Sequence, residues 1–320
     1  MGTGPLVRDL EREASESSTL VGISKAIQEV RAAIEKFKDT DLIVVIVGLS
    51  GVGKEVVARL LHYLSRRSAV GPFVAQNSAA LPKDTVHSEV FGHEKGAFTG
   101  SVSERMGRFE QAHGGTLFFD EFDDFPIELQ PLLLRVLEEK KITRMGGQSE
   151  IAVDTRVVIA VKRPLEELLR EGRLRSDLFF RINQAVIALP ALSERKEDVP
   201  GLAEHFLKVS PERRGRESNF SPEALDALIG YDWPGNVREL KIAIDFALVK
   251  AVGERIETED LPRSIQIFEP LTRKGRKPRD RVENQRRAHG AMEKAHGDAG
   301  KAAQTLRISV RTLYRWLGGS

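Results

Sequence analysis

The sequence of 320 residues contains no cysteine. Disulfide bonds, thiolate metal sites and cysteine nucleophiles are therefore excluded, and the composition fits a reducing compartment. Long apolar runs are also missing. The longest, Leu42–Val47 and Val157–Val161, have the length of strands and fall far short of the roughly 18 residues of a membrane-spanning helix. Since the N-terminus also lacks the pattern of a signal peptide, we expect a cytoplasmic protein with no membrane partner.

The charge is nearly balanced overall but unevenly distributed. The formal net charge is +2, yet basic residues crowd one stretch near the C-terminus. They are Arg273, Lys274, Arg276, Lys277, Arg279, Arg281, Arg286 and Arg287. Such a run beside a small terminal domain indicates a polyanionic partner. A solvated linker is the alternative, and the run on its own favours it.

Short apolar strands alternate with helical segments from Thr19 to about Pro190. Strands are predicted at Leu42–Val47, Pro72–Ala75, Thr116–Asp120, Arg156–Val161 and Ala185–Leu189, and helices at Glu55–Ser65 and Ile127–Glu139. This alternation predicts an α/β fold in which helices cover a parallel sheet.

Changes in this pattern predict the domain boundaries. Residues 1–18 form a polar leader and residues 19–190 the α/β core. Residues 191–268 form a helical subdomain in which strands vanish, with helices at Val199–Val209, Ser221–Ile229 and Asn236–Val252. Residues 269–281 form a basic linker, and residues 282–320 a small all-α domain.

The stretch Gly48-Leu49-Ser50-Gly51-Val52-Gly53-Lys54-Glu55 follows an apolar strand and opens a helix. This context predicts a phosphate-binding loop (P-loop), because glycines let backbone N–H groups face a phosphate at the positive end of a helix. Lys54 can reach the β and γ phosphates of ATP. The pattern normally ends in a Ser or Thr that binds Mg²⁺, but here it ends in Glu55. The alternative, a chance glycine-rich turn, is improbable with strand, helix and lysine in place.

Two carboxylates, Asp120 and Glu121, close the strand Thr116–Asp120. Asp120 is predicted to hold Mg²⁺, directly or through water, and Glu121 to polarise the attacking water. Such a pair is common in surface loops. Downstream of a P-loop, however, it predicts ATP hydrolysis.

Three arginines are candidates for stabilising charge on the γ-phosphate. Arg175 and Arg181 flank the segment 176–180, and Arg238 lies in Trp233–Leu240 at the start of a predicted helix. The alternatives are solvated side chains for the first two and a salt bridge for Arg238.

The segment Gly96-Ala97-Phe98-Thr99-Gly100-Ser101 lies between the P-loop and the acidic pair. It holds an aromatic ring and a hydroxyl on a glycine-flanked tip, where burial is hard to arrange. We therefore interpret Phe98 and Thr99 as a contact element that moves.

Together these motifs closely resemble the bacterial enhancer-binding activators of sigma-54 RNA polymerase, a family of AAA+ ATPases. The resemblance covers about Thr19 to Phe268, is weaker over the C-terminal helices, and is nearly diagnostic at Gly96–Ser101. It is carried by residues 48–55, 88–101, 114–121, 174–181 and 233–240. It implies an AAA+ P-loop sheet with a helical lid subdomain.

The resemblance also implies residue roles. Glu55 matches the family's usual P-loop ending, and Asn77 matches an asparagine that holds the catalytic glutamate, here Glu121. Arg175 and Arg181 match arginines that reach into the neighbouring subunit's site, which implies a ring, commonly a hexamer.

Further roles follow in the same way. Arg238 matches the second sensor arginine, and Phe98 and Thr99 match the tip that grips sigma-54. A second loop near Phe122–Pro131 would move beside that tip.

The chain departs from the family's pattern in three places. Val161-Lys162 stands where Thr-Asn is usual in the first sensor, Asp123 replaces a glycine, and Ser101 replaces an alanine. An apolar residue and a cation thus replace a neutral hydrogen-bonding pair. We expect hydrolysis to persist but to be slower or differently coupled.

Residues 297–317 look like the Fis-type helix-turn-helix of this family. Arg311, Thr312 and Arg315 would project from the second helix into the major groove of DNA. The alternative is a three-helix dimerisation element.

The main expectation is a transcription activator that binds upstream double-stranded DNA, forms a ring, and uses ATP hydrolysis to open the sigma-54 polymerase complex. One alternative is a DNA-binding regulator whose ATPase domain serves mainly for assembly, with weak hydrolysis. Another is an AAA+ protein that remodels a different target. Eighteen polar residues before Thr19 cannot form a sensory domain, so control by a separate protein, by expression level or by residues of a longer chain is expected.

Overall fold

The computed structural model describes residues 19–80, 85–98, 101–213, 215, 217–267 and 291–292. The chain divides into two units, Met1–Gln266 and Ile267–Ser320, and every helix and strand below belongs to the first. The predicted DNA contacts Arg311, Thr312 and Arg315 lie outside the described residues, as do Thr99 and Gly100. In the described ranges, no helix is both long and apolar enough to cross a bilayer.

The core of the first unit is a parallel sheet of five strands, β1 (Val44–Val47), β2 (Phe73–Asn77), β3 (Thr116–Asp120), β6 (Arg156–Val161) and β7 (Ala185–Ala188). They pair in the order β2-β3-β6-β1-β7. The predicted parallel sheet is confirmed, and β3 and β6 have the predicted bounds. β2 ends two residues later than predicted because polar Gln76 and Asn77 still pair with Phe119 and Asp120.

Successive residues of the strands pack on opposite faces of the sheet, and both faces are covered. Val45, Phe119 and Ile159 belong to one buried cluster, and Val44 and Phe118 to the other. Burial on both sides explains the continuous apolar runs that marked these strands in the sequence.

Helices surround the sheet and form the lid. Around the sheet they are α1 (Lys25–Phe37), α2 (Lys54–Tyr63), α3 (Val86–Phe91), α4 (Arg108–Gln111), α5 (Gln130–Glu139), α6 (Leu165–Arg170) and α7 (Ser176–Ile182). The lid contains α8 (Val199–Val209), α9 (Pro222–Gly230), α10 (Asn236–Lys250) and α11 (Arg263–Gln266). Ser221 caps α9 by accepting from the Ala224 N–H, as the Ser-Pro start signal predicts.

Four short strands were not predicted. β4 (Lys141–Thr143) and β5 (Glu150–Ala152) form an antiparallel hairpin, and β8 (Asn219–Phe220) pairs with β9 (Arg255–Ile256) in the lid. The expectation that strands vanish after residue 191 is therefore wrong. Segments of two or three residues are too short to show the alternation that identifies a strand.

Candidate functional site

The P-loop joins β1 to α2 at the carboxyl edge of the sheet. Gly51 and Gly53 have φ of 77° and 107°, left-handed values that favour glycine. The Gly48 N–H donates to the carbonyl of Val161, the last residue of β6, at 3.1 Å. The neighbouring strand thus holds the start of the loop, and Gly53 leads directly into the first turn of α2.

Lys54 is a buried cation at the centre of this loop. The residue is 8% exposed, and its Nζ donates to the carbonyls of Gly48 (2.8 Å) and Leu49 (3.1 Å). None of the ion pairs among the described residues includes Lys54. Burial lowers its pKa, although the charge of Asp120 opposes that shift. A buried ammonium with only carbonyl partners suits a phosphate group.

Asp120 and Glu121 lie opposite the P-loop at the end of β3. The Glu121 N–H donates to Asp120 Oδ1 at 2.9 Å, and Glu121 has a left-handed φ of 51°. Burial raises the pKa of Asp120 above its ordinary value, while the Glu121 N–H and Lys54 oppose the rise. Within the described residues no three His, Asp or Glu side chains form a metal site. A single carboxylate beside a phosphate site nevertheless fits Mg²⁺, which takes one or two carboxylates and completes its shell with phosphate oxygens and water.

The side chain of Glu121 has a partner other than the expected one. Lys162 Nζ lies 3.4 Å from Glu121 Oε1. Asn77 instead accepts from the N–H groups of Ala79 (2.9 Å) and Ala80 (3.1 Å) through its Oδ1, so it closes a turn after β2. The role of Asn77 in holding Glu121 stays a prediction.

Glu55, at the usual Ser or Thr position, is exposed. Its carboxylate accepts a 2.6 Å hydrogen bond from Arg59 one turn later on α2. A contact between Glu55 and the nucleotide stays a prediction.

The lid contacts the P-loop through the first turn of α10. The backbone N–H of Arg238 donates to the Gly51 carbonyl (3.2 Å), and its guanidinium donates to Ser50 Oγ (3.1 Å). Asn236 donates to the Ser50 carbonyl (3.0 Å), and the buried Arg195 donates to the Val52 carbonyl (2.9 Å). Arg238 therefore lies beside the P-loop, and its contact with the nucleotide stays a prediction.

Sequence reasoning overlooked Asn236 and Arg195. Asn236 lies inside the motif Trp233–Leu240, and that motif was the feature of the sequence that could have identified it. Arg195 had no signal in the sequence, because its burial depends on how the segment after β7 folds over the P-loop.

Arg175 and Arg181 are bonded within their own chain. Arg175 is exposed and pairs with Asp177 at 2.9 Å, whereas Arg181 donates to the Leu137 carbonyl at 2.8 Å. Neither hydrogen bond reaches the P-loop or the acidic pair of the same subunit. Their action on a neighbouring subunit stays a prediction.

The loop at Gly96–Ser101 has a closed base. The Gly96 N–H donates to the Ser101 carbonyl (2.9 Å), and the Ser101 N–H donates to the Phe98 carbonyl (3.0 Å). Ala97 lies against the hairpin between β4 and β5, where Gly146 leaves space for it. Phe98 is 41% exposed as a residue, and its ring lies 5.1 Å from the His93 ring, edge to face. Phe98 is thus presented to solvent, as its sequence context predicts.

Two family models match this chain, one over the domain that contains the parallel sheet and one over the lid. The family model described as the Sigma-54 interaction domain matches residues 20–188, and the model described as the AAA+ ATPase lid domain matches residues 193–277. Among solved structures, NtrX from Brucella abortus in complex with ATP has a TM-score of 0.75 at 31% identity, covering 98% of this chain and 72% of that one.

Two curated relatives are similar over most of the chain. The transcriptional regulatory protein ZraR of Salmonella typhimurium is 43% identical over 296 residues, which is 92% of this chain and 67% of ZraR. The DNA-binding transcriptional regulator NtrC of Klebsiella pneumoniae is 45% identical over 256 residues, which is 80% of this chain and 54% of NtrC. The chain therefore spans only about half the length of NtrC.

The P-loop lies beside an acidic strand end, the lid is hydrogen-bonded to that loop, and Phe98 is exposed. The family model for the Sigma-54 interaction domain covers more than half of the chain. The chain belongs to the sigma-54-dependent transcriptional activators, a family of AAA+ P-loop ATPases.

Proposed function

We propose that this protein activates transcription by using ATP hydrolysis to remodel the closed complex of sigma-54 RNA polymerase. One observation carries the proposal. The carboxyl edge of the sheet brings Lys54 together with Asp120 and Glu121, and the same domain presents Phe98 to solvent. A phosphate site alone would indicate nucleotide binding. An exposed aromatic tip in the same domain indicates a surface that could contact sigma-54.

The chemistry follows from the charges. The P-loop N–H groups and the Lys54 ammonium bind the phosphates of ATP. Asp120 would hold Mg²⁺, which neutralises charge on the phosphate oxygens when it is bound. Glu121 polarises a water molecule whose oxygen attacks the γ-phosphorus, and the products are ADP and phosphate. Arg238 senses the nucleotide from the lid.

The same proposal includes three partners: further copies of the chain, DNA and a controlling protein. The chain assembles with further copies into a ring, a hexamer by family pattern, in which Arg175 and Arg181 act on the neighbouring site. Arg311, Thr312 and Arg315 contact upstream double-stranded DNA. A separate protein acting in trans controls assembly, and the protein works in the cytoplasm with the polymerase.

The test compares ATPase rate and open-complex formation on a sigma-54 promoter for the wild type and Phe98→Ala. We expect the variant to keep its ATPase but to lose open-complex formation at least about tenfold, the effect of one contact residue. Val252→Ala is the control, since Val252 is 99% exposed in the lid, away from both sites. Open complexes at the wild-type level with Phe98→Ala would contradict the proposal. Absence of ATPase in the assembled wild type would favour the alternative of a DNA-binding regulator with an assembly domain.

A further inference from the structure

Two of the positions at which this chain departs from its family's pattern contact each other. The Lys162 N–H donates to Asp123 Oδ2 at 2.9 Å, and Arg163 Nε lies 4.0 Å from Asp123 Oδ1. The Asp123 side chain is only 4% exposed. The residues after β6 and the turn after Glu121 are therefore tied together by a buried carboxylate.

This tie places the Lys162 ammonium between two carboxylates. Lys162 Nζ lies 3.4 Å from Glu121 Oε1 and 3.6 Å from Asp124 Oδ2. The Lys162 side chain is 39% exposed. An ion pair at this distance and exposure is weak, so the ammonium can leave Glu121 at low cost.

The other side of Lys162 faces the phosphate site. Val161 accepts the N–H of Gly48, so the residue after it stands at the start of the P-loop. Lys162 is also near enough to Lys54 for the two ammonium charges to repel. Two cations and the Asp120-Glu121 pair thus share one edge of the sheet, where a triphosphate would compete with the carboxylates for the cations.

We propose that Lys162 is a positioning residue that restrains Glu121. Without nucleotide, its ammonium pairs with the Glu121 carboxylate and keeps it from water. When ATP binds, the added phosphate charge competes for the ammonium, so Glu121 is free to polarise water for only part of the time and some restraint persists at saturating ATP. Asp124 competes for the same ammonium, so it weakens the restraint. The inference rests on the proposed ATPase function. It assigns the restraint of Glu121 to Lys162 rather than to Asn77.

The test is a double-mutant cycle on steady-state ATPase with Lys162→Met and Asp124→Asn. Lys162→Met should raise kcat about two- to fivefold, the range of a weak exposed ion pair, and should raise KM for ATP because a cation near the phosphates is lost. Asp124→Asn should lower kcat, because Lys162 then pairs with Glu121 alone. In the Lys162→Met background, Asp124→Asn should lower kcat clearly less, because only its ion pair with Arg173 at 3.1 Å is then changed.

Two further variants separate this role from general effects. Lys162→Arg keeps the charge and should keep kcat near the wild-type value. Lys25→Met removes an exposed lysine whose ammonium lies 3.8 Å from Glu29, and it should change neither kcat nor KM.

The outcomes distinguish the two proposals. If Lys162→Met has a kcat equal to or below that of the wild type, or if Asp124→Asn acts equally in both backgrounds, the restraint by Lys162 is wrong while the ATPase function stands. If Glu121→Gln leaves hydrolysis unchanged, the proposed catalytic site itself is wrong.

Discussion

At the scale of single residues, Lys54 shows how binding chemistry conflicts with stability. Its ammonium is buried, and its pKa is lowered because burial disfavours the charge. Its hydrogen-bond partners are two neutral carbonyls of the P-loop. The folded protein thus holds a charge that only an anionic ligand fully compensates.

We therefore expect Lys54→Met to separate ligand binding from stability. The apolar side chain has similar length, so the free variant should be at least as stable to heat as the wild type. The gain from ATP, about 2.7 kcal/mol at a concentration 100-fold above Kd, should disappear. Thermal unfolding with and without ATP measures both effects. A free variant that unfolds several degrees earlier would mean that Lys54 stabilises the fold.

At the scale of elements, the start of α10 joins the lid to the P-loop. Asn236 is 2% exposed, and its amide accepts from the Leu192 N–H (2.9 Å) while it donates to the Ser50 carbonyl. Its φ of 53° is left-handed, as is that of Trp233 at 51°. The helix thus begins in a strained turn that two side-chain hydrogen bonds compensate.

This geometry predicts an order of stability for two substitutions. Asn236→Ala and Asn236→Gly both leave the buried Leu192 N–H without its acceptor, which costs about 1–3 kcal/mol. Alanine should cost about 0.5–1 kcal/mol more than glycine. The Cβ of alanine makes the left-handed backbone less favourable in the folded state, and this penalty exceeds the extra conformational entropy that glycine loses on folding. Urea unfolding measures the difference. Equal stability of the two variants would contradict a left-handed Asn236.

At the scale of the whole molecule, a histidine buried between α2 and β3 makes the free energy of unfolding depend on pH. His62 on α2 is 2% exposed, and its Nδ1 lies 3.0 Å from Thr116 Oγ1 on β3. Burial, and then the charges of Arg156 and Arg59, lower the pKa of His62 to about 4. His62 is therefore neutral in the folded protein at pH values where it would be protonated in the unfolded chain.

The sign of the pH effect follows. Between about pH 6.5 and about pH 4 the unfolded chain binds the proton more tightly, so stability falls as pH falls. The loss from His62 alone should reach about 2 kcal/mol between about pH 7.5 and about pH 5. His62→Gln cannot titrate, so its urea unfolding free energy should fall by that much less over the same interval. The same pH dependence in both proteins would contradict a neutral His62.

The long strands and the site motifs were predictable because local sequence determines them. β3 and β6 match the predicted bounds because burial on both faces makes them apolar between polar residues at their ends. The P-loop and the acidic strand end were visible because glycine freedom and a strand-to-helix context leave a local pattern. The pairs β4–β5 and β8–β9 were missed because each strand has too few residues to show a recognisable pattern.

The sequence alone determined the parallel sheet, the nucleotide-binding loop and the presence of an exposed aromatic tip, because each depends on residue types at short spacing. The tertiary structure decided which of these residues meet. It placed Lys162 against Glu121 and bonded Asn236 to Ser50 of the P-loop, 186 residues away. These contacts join residues far apart in the chain, and only the packing of strands and lid brings their charges within a few ångströms.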